Sequence, residues 1–191
     1  MNPRIIEKLR GLSACSEAVD WLSGQVSPSV AWRNCKRGDW MLWLLGLQAP
    51  EPESPERKKL TLCVCEYVRP ALKHVPKGEL RPLHAIETAE AWAHGKATLA
   101  EVRAAADAAY AAAYTAAAYT AAAYAANAAA YAAAYAASAD ASAADAAYAS
   151  AASAYAAADA AYASAASAAR SLTLAQCAKI VHKHYPKPPT L

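Results

Sequence analysis

Apolar residues recur at helical spacing through the first half of the chain, and residues that begin or end helices separate them. In the opening segment NPRIIEKLRGL, Ile5, Ile6 and Leu9 share one face of a helix. Asn2 can cap this helix, with proline at the first helical position, and Gly11 can end it. The pattern therefore predicts a short amphipathic helix at the start of the chain.

Further short helices are predicted by the same signals. One begins with a cap at Ser13 and stops at Gly24, and the next lies in SPSVAWRNC. A third covers GDWMLWLLGL, with Asp39 as its cap. Because this run is apolar on nearly every face, we expect it to be buried on all sides.

Proline marks the remaining helix boundaries of this half. Residues 54–56, Ser-Pro-Glu, have the order of a cap, a first-turn proline and a first-turn acid, and predict a helix through Tyr67 that Pro70 ends or kinks. The last short helix runs over residues 82–94. The predicted core of this half is built around four tryptophans, Trp21, Trp40, Trp43 and Trp92.

Alanine and tyrosine dominate the second half. Thr98 and Glu101 have the spacing of a capping box, which begins a helix. Alanine, the best helix former, fills 44 of the 66 residues from 104 to 169. An unbroken helix over residues 99–171 would be roughly 110 Å long at 1.5 Å per residue. Since this exceeds the diameter of a compact domain, we expect at least one turn.

The phase of the tyrosines indicates where a turn lies. On one continuous helix, the tyrosines up to residue 135 cluster on one face, apart from Tyr119, whereas the later ones repeat every seven residues on the opposite face. The phase changes within residues 138–145, SADASAAD, where serine and aspartate favour caps and turns. The sequence thus predicts an all-α protein with three parts: a Trp-rich helical core at 1–97, a long Ala/Tyr-rich helical hairpin at 98–171, and a C-terminal helix with a Pro-rich tail at 172–191.

Charge and composition exclude several function classes. Fifteen of the 19 basic residues lie within residues 1–103, so residues 104–169 lack the cations that a nucleic-acid-binding surface needs. Residues 104–171 contain no Leu, Ile, Val or Phe, which argues against a membrane span. The N-terminus lacks the uninterrupted apolar core of a secretory signal. We therefore expect a cytoplasmic protein that binds neither nucleic acid nor membrane.

The cysteines and histidines do not form a recognisable catalytic or metal site. Cys63 and Cys65 would point about 200° apart on a helix, and zinc-ligand spacing is absent. Cys35 lies beside Lys36 and Arg37, which could lower the pKa of its thiol, but no histidine base is near in sequence. His182 and His184 fit an exposed basic tail. We expect buried structural thiols, no cofactor, no metal and no enzymatic activity.

The stretch AWRNCKRGDWMLWLL at residues 31–45 resembles bacterial and phage-encoded proteins of an immunity protein family. The segments RKKLTLCVCEYVRPAL (57–72), AIETAEAWAHGKATLAEVRAAADAAYAAA (85–113) and CAKIVHKHYPKPP (177–189) resemble the same proteins in the same order. The resemblance implies an α-helical protein with an Ala-rich C-terminal half that acts as a non-enzymatic partner of a toxin.

The sequence favours two candidate functions. The first is an immunity-like protein that captures its partner stoichiometrically, with exposed aromatic residues as anchors. The alternative is a self-associating scaffold of a phage or cellular assembly, in which Tyr148, Tyr155 and Tyr162 line a helix–helix seam. The candidate interface comprises tyrosines and aspartates of the Ala/Tyr tract, namely Tyr110, Tyr114, Tyr119, Tyr124, Tyr131, Tyr135, Tyr148, Tyr155, Tyr162, Asp140, Asp145 and Asp159.

Overall fold

The structure, a computed structural model, describes residues 1–49, 51–115, 121–137, 148–149, 152–153, 155–156 and 166–190. All regular structure in these ranges is helical, which confirms the all-α prediction. The helices are α1 (Pro3–Gly11), α2 (Ser16–Ser23), α3 (Pro28–Asn34), α4 (Gly38–Gly46), α5 (Pro55–Val68), a 3₁₀ helix (Arg69–His74), α6 (Arg81–Ala93), α7 (Leu99–Thr115), α8 (Ala121–Ala137) and α9 (Ala166–His184).

Local capping chemistry sets the starts of α1, α3, α5 and α7. The side-chain oxygens of Asn2, Ser27 and Ser54 accept hydrogen bonds from backbone N–H groups two or three residues further on, and a proline follows each cap. Thr98 and Glu101 form the predicted capping box: the Thr98 N–H donates to Glu101 Oε2 at 2.7 Å, and the Glu101 N–H donates to Thr98 Oγ1 at 3.2 Å.

Two predicted caps are wrong. Ser13 does not begin α2, because its own N–H and that of Ala14 still donate to the last carbonyls of α1. Ser13 has a φ of 65°, the left-handed conformation that closes a helix, and α2 begins only at Ser16. Asp39 does not cap α4, because Arg37 precedes the helix and binds the Asp39 carboxylate at 2.9 and 2.7 Å.

The centre of the core is formed where α5 and α6 meet. Val64, Val68 and Ile86 are fully buried there, and Trp92 closes the α6 side. α5 ends at Val68, two residues before Pro70, as predicted, and the 3₁₀ helix that contains Pro70 follows it directly. Arg57, in the first turn of α5, is also buried, and its Nε donates at 2.8 Å to the carbonyl of Ala49. This bond ties the start of α5 to the segment after α4.

The Ala/Tyr tract folds back on itself. Tyr110 of α7 contacts Tyr131 of α8, while Ala112 and Ala113 cluster with Ala126, so the two helices are antiparallel. The hairpin thus has its connection between Thr115 and Ala121. The sequence predicted a hairpin with its corner at 138–145, which lies outside the described residues. Alanine allows the close approach of α8 to its neighbours, since its methyl groups at 128, 129, 130, 132 and 133 are fully buried.

α9 brings the C-terminus back to the first half of the chain. Leu174 and Val181 are buried, and Gly38 of α4 lies against Cys177 of α9. Leu172, in the same helix, is 62% exposed. In the part of the chain that the structure describes, no helix is both long and apolar enough to cross a membrane.

The prediction that His182 and His184 form an exposed basic tail is wrong, because both rings are partly buried in contacts. His182 Nε2 lies 2.7 Å from the carbonyl oxygen of Trp32, and His184 Nε2 lies 2.8 Å from the carboxylate of Glu66. Lys183 donates to the same carboxylate at 2.7 Å. The end of α9 is therefore held by polar contacts to α3 and α5.

Candidate functional site

α8 reaches the surface along a single stripe of its described side chains. Its side chains at 125, 126, 128–130, 132 and 133 are buried. The partly exposed positions are Tyr124, Asn127, Tyr131 and Ala134, which follow one another at intervals of three or four residues. This spacing keeps them on one face, so the two tyrosines mark where the buried helix meets solvent.

The described residues between 148 and 156 are helical and have the complementary pattern. Positions 149, 152, 153 and 156 are buried, whereas Tyr148 and Tyr155 are 56% and 44% exposed. The two tyrosines, seven residues apart, share the exposed edge of this segment.

Tyrosine rings join these elements in a regular series. The Tyr131 and Tyr148 ring centroids lie 5.7 Å apart, and those of Tyr124 and Tyr155 lie 5.5 Å apart in a stacked arrangement. Tyr110 meets Tyr131 edge-on at 5.4 Å. Because position 131 pairs with 148 and position 124 with 155, the later segment is antiparallel to α8. We call these five residues the tyrosine ladder.

Arg170 closes one end of the tyrosine ladder. Its guanidinium carbon lies 4.2 Å from the centroid of the Tyr155 ring. A cation over an aromatic face is attracted by the electrons of the ring. Sequence reasoning missed this residue, because Arg170 lies in α9 and only the tertiary fold places it beside Tyr155.

The structure thus brings together five of the nine predicted interface tyrosines. Tyr114 and Tyr135 lie in α7 and α8. The other predicted interface residues lie outside the described residues, namely Tyr119, Tyr162, Asp140, Asp145 and Asp159.

The tyrosines of the predicted scaffold seam have partners inside the chain. Tyr148 and Tyr155 were expected to line a seam between helices in a self-associating protein. The Tyr155 ring stacks on Tyr124, and the Tyr148 ring packs at a tilt against Tyr131 of the same molecule. Arg170 also lies over the Tyr155 ring, and the exposed parts of both tyrosines are available to another molecule.

Four of the five thiols are buried as expected, whereas that of Cys15 is exposed. Cys63, Cys65 and Cys177 are fully buried. Burial raises the pKa of Cys63 to about 12 and that of Cys65 further. Cys35 is also buried, and this outweighs its hydrogen bond to the Arg37 carbonyl, so the pKa of its thiol rises to about 11. A thiol with that pKa is protonated at neutral pH, which makes it a poor nucleophile.

Among the residues described, no three side chains of His, Cys, Asp or Glu converge as a metal site would require. The tyrosine ladder and Arg170 offer ring faces, hydroxyl groups and one cation, and tyrosine and arginine are enriched at protein–protein interfaces.

A family model described as Imm-5 like putative immunity protein matches residues 55–181, about two thirds of the chain. The chain belongs to this family. The family segment contains the whole tyrosine ladder and Arg170, whereas the Trp-rich stretch at residues 31–45 lies before it. Membership implies an immunity-like role and, in general terms, a protein partner. No curated protein and no solved structure matches the chain significantly.

Proposed function

We propose that this protein is a non-enzymatic immunity protein that neutralises a toxin by binding it stoichiometrically. Membership of the immunity family is the observation that carries the proposal. The raised pKa of Cys35 supports the non-enzymatic part, because the thiol that the sequence offered as a nucleophile is protonated at neutral pH.

The tyrosine ladder is the contact surface in this proposal. Tyrosine and arginine are among the residues that contribute most to protein–protein binding, and Tyr148, Tyr155 and Arg170 are all exposed, with Arg170 over the Tyr155 ring. The two tyrosine rings already pack against rings of α8, so little conformational freedom is lost when a partner binds. A toxin docked across these rings would be blocked by occlusion.

The test begins with capture of the tagged full-length protein from its native host and identification of the bound proteins with their stoichiometry. The proposal predicts one dominant partner that is toxic when expressed alone and harmless when co-expressed with this protein. Recovery of the protein only as a discrete oligomer would overturn the proposal in favour of the scaffold function.

The ladder is then tested with the double variant Tyr148→Ser, Tyr155→Ser. We expect weaker toxin binding and loss of protection with helicity retained, because the exposed ring faces are removed. The matched control is Leu80→Ser, which removes an exposed apolar side chain at the start of α6, outside the ladder. Equal binding by the double variant and the control would show that the toxin docks elsewhere.

A further inference from the structure

A second surface lies outside the family segment, between the short helices α1 to α4. It is an apolar groove with a cavity of about 100 Å³. We call it the tryptophan groove and define it by the side chains that form its walls, namely Ile5, Leu9, Trp21, Trp40, Trp43 and Leu44. Trp21 and Trp40 pack together with their ring centroids 5.9 Å apart.

The chain's own proline-rich tail already occupies one end of this groove. Pro188 and Pro189 line the groove together with the tryptophans. After α9 ends, the indole N–H of Trp32 donates at 2.9 Å to the backbone carbonyl of Tyr185. Trp32, which also lines the cavity, thus hydrogen-bonds the backbone just before the tail, while Pro188 and Pro189 line the cavity beside the apolar walls.

This combination is the chemistry by which aromatic grooves bind proline-rich peptides. Proline fixes φ near −65°, so a proline-rich segment is already extended and loses little entropy on binding. Flat aromatic walls accept the pyrrolidine rings, and the carbonyls, which are unpaired in such a segment, accept hydrogen bonds from donors in the groove.

We propose that the tryptophan groove is a binding site for a proline-rich segment of another protein, and that the C-terminal tail is an internal occupant of the same site. The cavity that remains beside Pro188 and Pro189 gives a longer segment room along the walls. The proposal is independent of the tyrosine ladder, because it concerns different helices and a different class of ligand.

The first experiment uses the full chain and a synthetic peptide with the sequence of residues 184–190, HYPKPPT. In the double variant Pro188→Ala, Pro189→Ala the tail should bind the groove more weakly, and we expect the peptide to bind in its place. Binding to the unmodified chain should be about tenfold weaker, because a tethered tail competes at a high effective concentration. The matched control peptide, HYAKAAT, replaces all three prolines by alanine.

The readout is the set of indole N–H signals in a nitrogen–proton correlation spectrum. Peptide binding should shift the signals of Trp21, Trp40 and Trp43, while that of Trp92, buried against α5 and α6, stays in place. Titration of the unmodified chain at high peptide concentration gives the same signature if the variant does not fold.

Three results would overturn the proposal. One is the absence of indole shifts in both proteins at millimolar peptide. Another is equal binding of the alanine control peptide, which would mean that the groove does not select proline. The third is a dimer by light scattering that dissociates when the peptide is added, because the occupant would then be the tail of a second copy.

Discussion

Replacing Gly38 with alanine tests the contact that holds α9 against the first half of the chain. Gly38 is the first residue of α4 and is buried. A Cβ atom added there would lie 2.3 Å from both Cβ and Sγ of Cys177 and 2.7 Å from the backbone nitrogen of Ala178. Since two of these three atoms are Cβ and backbone, a change of side-chain rotamer cannot relieve the overlap.

The magnitude follows from the overlap. Carbon atoms in contact prefer separations of about 3.5–4.0 Å, so the two helices must move apart by more than about 1 Å. Overpacking of a closed core costs about 1–3 kcal/mol, and the higher helix propensity of alanine offsets at most about 1 kcal/mol of this. We expect a net loss of about 2 kcal/mol in the free energy of unfolding, and a fall of about 4–8 °C in Tm for a chain of this size.

The assay is urea and thermal unfolding followed by circular dichroism. The matched control is Gly11→Ala at the end of α1, where an added Cβ has no heavy atom within 4 Å. This substitution should leave the stability unchanged or slightly higher. A second change, Cys177→Gly, should recover part of the loss, whereas Cys177→Ala should not, because it keeps the clashing Cβ. If Gly38→Ala is as stable as Gly11→Ala, α4 and α9 do not touch at this point.

Three further predictions concern thiols, caps and pH. Under native conditions at neutral pH, a thiol reagent should modify the exposed Cys15 rapidly, whereas burial and a raised pKa protect Cys35. Mass spectrometry identifies the modified site, and fast modification of Cys35 would contradict the fold. Thr98→Ala should lower the free energy of unfolding by about 1 kcal/mol, because α7 loses its cap; a urea titration that shows no loss would refute this. Hydrogen bonds from α9, with that of Lys183 the largest cause, lower the pKa of Glu66, so its stabilisation is present above the ordinary pKa of 4.5 and is lost as the pH falls through the lower folded-state value. Glu66→Gln should therefore lower the free energy of unfolding by under about 1 kcal/mol at neutral pH and leave it unchanged in strong acid. The same stability difference between variant and unmodified protein at both pH values would count against the contact.

Helix ends were predictable where they depend on neighbouring residues. The caps at Asn2, Ser54 and Thr98 use atoms within three residues of the helix start, so the sequence contains all the information. The two wrong caps also have local causes. The Ser13 N–H still donates a hydrogen bond to a carbonyl of α1, and the Asp39 carboxylate accepts hydrogen bonds from Arg37.

The candidate site was predictable only in part. Exposed tyrosines in an alanine background indicated an interface, and the structure places Tyr148 and Tyr155 at the surface. The periodicity of one helix, however, cannot indicate which tyrosines meet across helices, because that depends on where the chain turns. Arg170 lies in a different helix from Tyr155, and the proline tail lies at the other end of the chain from the tryptophan groove, so no helical spacing rule connects either of them with its partner.

The sequence by itself determined that the protein is helical, because alanine content, caps and apolar periodicity act over a few residues. It also determined that tyrosine must supply most of the larger packing contacts of the second half, since alanine buries little area. The tertiary structure alone decided that α7 and α8 are antiparallel, that Tyr124 stacks on Tyr155, and that Pro188 lies in the tryptophan groove. These contacts join residues far apart in the chain, and their formation depends on the packing of several helices at once.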